Sequence, residues 1–146
     1  MSSGAAAAKA VEENTAIKSQ RVVLFLGSES NQKRLFYPDG LIFEKGKSYT
    51  LVIENPSNEI HEFDAPGLAA TSKSSQVKVL DGYGGTALPV ATVVGKPDEM
   101  IVNSGGSVEW TFIPAKAGTY EMICDVLDKS GKTHTELGMK GMIVVK

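Results

Sequence analysis

From Arg21 to its last residue the chain is written in short runs of β-branched and aromatic residues, broken by clusters of Gly, Pro, Asn, Asp and Ser. Each run is too short for a helix and long enough for a strand. Candidate strands are 21–26 (RVVLFL), 41–44, 48–54 (SYTLVIE), 60–64, 76–80, 99–102, 107–113 (SVEWTFI), 118–124 (GTYEMIC) and 139–145. In 107–113, Val108, Trp110 and Phe112 alternate with Glu109 and Thr111, so one face is apolar and the other polar. That alternation belongs to a half-buried strand, and the Trp110 face is its core side. Roughly seven to nine such strands with no strand–helix alternation predict an all-β chain, an antiparallel β-sandwich rather than an α/β sheet. The stretch 65–98 concentrates loop signals (APGL, TSKSS, DGYGG, KPDE) and reads as a long, partly irregular excursion. Residues 1–20 read as an N-terminal tail or short peripheral helix outside a domain of 21–146, because an isolated helix of that length is marginal in water. They carry no basic start followed by a long apolar run, so they do not form a secretory signal as they stand.

A chain of 146 residues, 42% hydrophobic, has material for one domain with a core. No stretch is apolar enough for a spanning helix. A formal net charge of -2 provides no field for capturing nucleic acid or anionic lipid. With one cysteine there is neither an intramolecular disulfide nor a CxxC pair for a zinc ribbon or thioredoxin-like chemistry. Two histidines complete the inventory of imidazole and thiol groups: Cys124, His61 and His134.

Taken singly, each of these residues is ordinary. A lone cysteine in a β-rich chain is by default a small buried hydrophobe, and methionine fills gaps in cores. The joint pattern is not ordinary. Between two predicted strands lies GTYEMICDVLDKSGKTHTELGMKGM, which places Cys124, then His134, then Met139 around one loop, while His61 sits at the entry to another strand. Two imidazoles, a thiolate and a long axial thioether form the ligand set of a blue-copper electron-transfer site.

The end of the chain resembles the small blue copper proteins, the cupredoxins. AGTYEMIC resembles the family's strand leading into its ligand cysteine. HTELGMKGMIVV resembles the histidine, methionine and final strand, with a plastocyanin-like spacing from His134 to Met139, and VIENPSNEIHEF resembles the segment ending in the first histidine ligand. The resemblance implies a Greek-key β-sandwich in which His61, Cys124 and His134 hold one copper ion and Met139 is axial. It implies single-electron transfer between a protein donor and acceptor, an extracytoplasmic location (periplasm, thylakoid lumen or export), and docking near His134. Candidates for the docking surface are Val126, Leu127, Leu137 and Gly138. A monomer is expected. The loop from Cys124 to His134 is longer than in the familiar small members, and Glu62 stands where many members have Asn; a carboxylate beside the ion favours its oxidised form.

Rival functions use these residues less completely. Copper enzymes on related folds need further histidines for a second centre, and both histidines are already assigned, so no enzymatic activity is expected. A cysteine nucleophile with a histidine base leaves Met139 and the second histidine unexplained. Structural zinc takes four Cys or His ligands. The main alternative is a copper carrier, chaperone or sensor that binds copper without redox cycling; a metal-free interaction module is a third.

Overall fold

The computed structural model describes residues 18–29, 33–80, 91–94 and 97–146. Most of the expected N-terminal tail or helix, and residues 81–90 and 95–96 of the expected excursion, lie outside them. Eleven strands are described: β1 (Gln20–Leu26), β2 (Phe36–Tyr37), β3 (Gly40–Phe43), β4 (Tyr49–Glu54), β5 (His61–Asp64), β6 (Ser72–Leu80), β7 (Ala91–Val94), β8 (Glu99–Val102), β9 (Ser107–Pro114), β10 (Gly118–Ile123) and β11 (Lys140–Val145). Among the described residues one short helix, α1 (Pro66–Ala70), follows β5.

The strands form two sheets, ordered β2-β1-β4-β9-β6 and β3-β11-β10-β5-β8-β7. Their facing sides supply one core. Leu24, Leu26, Leu51, Ile53, Val108, Trp110 and Phe112 come from the first sheet; Leu41, Phe43, Phe63, Met100, Val102, Met122, Ile143 and Val145 come from the second. Aromatic contacts bridge the layers: Phe43 meets Phe112 edge-on at 5.3 Å, and Phe36 meets Phe63 at 6.3 Å. Trp110 is fully buried on the predicted face and stacks on Phe112 at 4.0 Å, and its indole N–H donates to Ser74 Oγ at 2.9 Å. That bond satisfies the one polar atom the strand carries inward.

The β-sandwich is as expected, with mixed pairing. Most neighbours run antiparallel, but β1 is parallel to β4 and β3 is parallel to β11. The chain leaves the first sheet after β2 and enters the second at β3, so β1 and β4 meet only after an excursion, which permits a parallel pair where a hairpin would not. The predicted excursion over 65–98 contains α1 and the long β6, and β7 also falls within it. β6 pairs with β9 through a bulge at Ser74/Gln76.

Candidate metal centre

β5 and β10 are neighbours in the second sheet, with Ile123 opposite Asp64. This register brings the start of β5, where His61 stands, against the end of β10, where Cys124 follows. The loop after Cys124 turns at Asp128, whose Oδ1 accepts from the Ser130 and Lys132 N–H groups, and a bridge joins Leu127 to Thr133. It then delivers His134 back to the cysteine. The return is fastened at Thr135: Thr135 N–H and Oγ1–H both donate to the Cys124 carbonyl, at 2.9 and 2.8 Å, and the Cys124 N–H donates to Thr135 Oγ1 at 2.9 Å. Met139 N–H donates to the His134 carbonyl at 2.9 Å, just before β11 begins.

Three donor atoms converge. His61 Nδ1 lies 3.2 Å from His134 Nδ1, and Cys124 Sγ lies 3.6 Å from His134 Nδ1 and 4.0 Å from His61 Nδ1. All three side chains are buried. Bonds of about 2.0–2.1 Å to nitrogen and about 2.3 Å to sulfur, opened at roughly trigonal angles, separate donors by about 3.3–3.9 Å. The spacing therefore fits one ion between three ligands. One proton satisfies a single pair of these atoms at a time, whereas a cation satisfies all three.

The electrostatics suit the same occupant. Burial pushes His61 down to about 4, partly offset by Glu59, and burial likewise lowers His134, so His61 is neutral and offers a lone pair near neutral pH. Burial pushes the Cys124 thiol up to about 11, against the backbone N–H groups of Glu62 and Val126, which favour the thiolate. The Glu62 N–H donates to Sγ at 3.2 Å. A metal ion at this point compensates the thiolate that the cavity alone disfavours.

Met139 is buried in the core, whereas Met142 is 46% exposed on the outer side of β11. Met122 is buried on β10. The docking candidates divide: Leu127 and Leu137 are 62% and 40% exposed, Val126 packs against the core, and His134 itself is only 1% exposed. The resemblance implies docking near His134, but the imidazole itself is buried.

No protein-family model matches the sequence, and no curated protein matches it. The backbone, in contrast, is similar to solved structures over nearly its whole length. Reduced auracyanin from the photosynthetic bacterium Roseiflexus castenholzii matches with a TM-score of 0.54 at 16% identity, covering 88% of this chain and 98% of that one. Auracyanin A, a blue copper protein from the green thermophilic photosynthetic bacterium Chloroflexus aurantiacus, matches with a TM-score of 0.50 at 21% identity, covering 86% and 99%. The chain has the cupredoxin fold. A laccase from Pediococcus acidilactici contains a similar unit, with a TM-score of 0.58 at 13% identity over 88% of this chain and 27% of that one.

On this cupredoxin scaffold the cluster has surroundings that sequence inspection did not single out. The carboxylate facing both imidazoles is Glu59, 3.9 Å from His61 Nε2 and 4.0 Å from His134 Nε2. Glu62 sends its carboxylate elsewhere, into a group with Asp64 and Glu99, where burial and the Glu62 hydrogen bond push Asp64 up to about 9. Gly27, after β1, backs onto His61 so closely that a Cβ there would sit 2.6 Å from Nε2. Asn55 organises the loop before β5: its amide donates to the Glu59 and Val102 carbonyls, each at 2.8 Å, and its Oδ1 accepts from Ser57 N–H and Oγ–H. The N-P-S-N run at 55–58 is a turn signature, and that was the available signal.

Proposed function

We propose that this protein holds one copper ion as a type 1 centre and carries single electrons between protein partners. His61, Cys124 and His134 would hold the ion, with the Met139 thioether as a fourth, weaker donor. The observation that carries this reading is the convergence of two imidazole nitrogens and one sulfur within 4.0 Å in a buried pocket. When bound there, copper supplies a one-electron Cu(II)/Cu(I) couple. The chain's part is to fix the donors so that neither oxidation state obtains its preferred geometry, and to keep water out. The N–H of Glu62 on Sγ tempers the thiolate, an outer contact of the kind that tunes a metal's potential.

Electron transfer is favoured over copper delivery because the donors are buried and come from separate elements, β5 on one side and the loop between β10 and β11 on the other. Thr135 stitches that loop closed. Delivery calls for an open site that releases its cargo. The chain's only two histidines both belong to the cluster, which leaves no imidazole for a second, substrate-reducing centre. Leu127 and Leu137 form the apolar surface through which a partner would approach His134. Among the described residues no helix is long and apolar enough to cross a membrane. Work outside the cytoplasm is what the family resemblance supports.

The test is repeated oxidation and reduction in the presence of a copper chelator. An electron carrier keeps its metal and its colour through many cycles. A carrier of copper would surrender Cu(I) to the chelator within the first few.

A further inference from the structure

A histidine that binds a metal through Nδ1 carries its proton on Nε2, and that N–H needs an acceptor. Here both Nδ1 atoms face the shared point and both Nε2 atoms face outward. His61 Nε2 is buried and has no hydrogen-bond partner. Glu59 stands in front of it, and in front of His134 Nε2 as well, one carboxylate oxygen toward each ring at 3.9 and 4.0 Å.

The carboxylate is held by an arginine, and the backbone that carries it is held by its own loop. Arg34, between β1 and β2, grips it in a fork, with Nε to Oε1 at 2.9 Å and Nη2 to Oε2 at 3.1 Å. The third nitrogen of the same guanidinium, Nη1, lies 3.9 Å from Asp128 Oδ2 in the Cys124–His134 loop. The Glu59 carbonyl is fixed by the Asn55 amide at 2.8 Å. Forked arginine–carboxylate pairs combine geometric specificity with strength. Glu59 is consequently oriented before any metal binds. The arrangement joins three loops, those after β1, β4 and β10, at the outer edge of the two imidazoles.

Resting on the copper reading above, we propose that Glu59 is a positioning residue shared by both histidines, and that the Arg34–Glu59 pair sets the reduction potential of the centre. The carboxylate favours the more positive Cu(II), and the guanidinium partly cancels that preference. Removing either member therefore moves the potential, in opposite directions.

Three copper-loaded proteins test this by redox titration with the visible spectrum recorded alongside: the wild type, Glu59→Gln and Arg34→Met. Glu59→Gln preserves size and removes the negative charge; it should raise the potential by an amount equal to roughly a tenfold change in the oxidised-to-reduced ratio, about 59 mV for one electron. Arg34→Met leaves the carboxylate uncompensated and should lower the potential. Both should remain blue. General loosening of the site would shift both variants the same way, and that result, or an unmoved Glu59→Gln, overturns the proposal while leaving the copper reading intact. A wild type that takes up no copper defeats both together.

Discussion

At the scale of single residues the pocket is shaped as much by what is missing as by its donors. Gly27 has φ +81 and lies against the His61 ring, so Gly27→Ala meets two penalties: a left-handed backbone and a methyl group 2.6 Å from Nε2. An alanine at positive φ costs more than the fraction of a kcal/mol gained elsewhere by this substitution, and overpacking adds about 1–3 kcal/mol. Gly27→Ala should therefore lower the urea midpoint and weaken copper binding at least tenfold in a chelator competition; unchanged affinity would mean that the ring yields freely. Met139 and Met142 make a second contrast. An axial thioether is a weak, long bond that stabilises Cu(II), so Met139→Leu should keep copper and colour while raising the potential. Met142 is exposed on the far side of β11, and Met142→Leu should leave the potential where it was. The reverse outcome would shift the axial assignment and the parity of the last strand with it.

At the scale of elements, the decisive piece is the loop between β4 and β5. Asn55 is buried there and is satisfied through both its amide hydrogens and its oxygen, tying the loop to the Val102 carbonyl at the end of β8. Asn55→Ala leaves buried carbonyls and the Ser57 hydroxyl short of partners, at roughly 1–3 kcal/mol for each group left unsatisfied. Equilibrium unfolding should show a loss of at least about 2 kcal/mol with an unchanged denaturant slope; a loss below half of that would mean water replaces the amide. The sequence announces some of this architecture and conceals the rest. β9 is plain because a strand buried on one face writes its alternation, and Trp110 falls on the inner side. Cys124, His61 and His134 stand out because their residue types are scarce. β2 is too short to carry a period. β6 extends from Ser72 although its first residues are polar, because they pair with β9 while exposed to solvent. The parallel pairs depend on when the chain changes sheets, which no local pattern encodes. Glu59 and Arg34 are 25 residues apart, and acids in a loop ordinarily face water, so nothing in the local pattern marks their meeting.

At the scale of the molecule, two sheets close on one apolar core and leave the His61–Cys124–His134 cluster where the start of β5 meets the end of β10. The same strand β5 carries the acidic group formed with Glu99 on β8, and this has a consequence for stability. Asp64 is held up near 9 by burial, by the Glu62 hydrogen bond and by neighbouring acids, so the folded state keeps a proton that the unfolded chain releases near 4. A raised carboxyl stabilises fully below the unfolded value, and its contribution is lost as pH rises from about 4 toward 9. The metal-free protein should therefore lose stability between pH 5 and pH 8.5, and Asp64→Asn should flatten that slope; an equally steep slope in the variant would place the responsible group elsewhere. Copper at His61, Cys124 and His134 is tested most directly by metal analysis of washed protein together with its visible spectrum, for the wild type and Cys124→Ser. One copper per chain and an intense thiolate charge-transfer band that disappears in Cys124→Ser are the expected results. Two tightly held coppers per chain, or a band that survives in a chain with no other cysteine, would contradict the assignment.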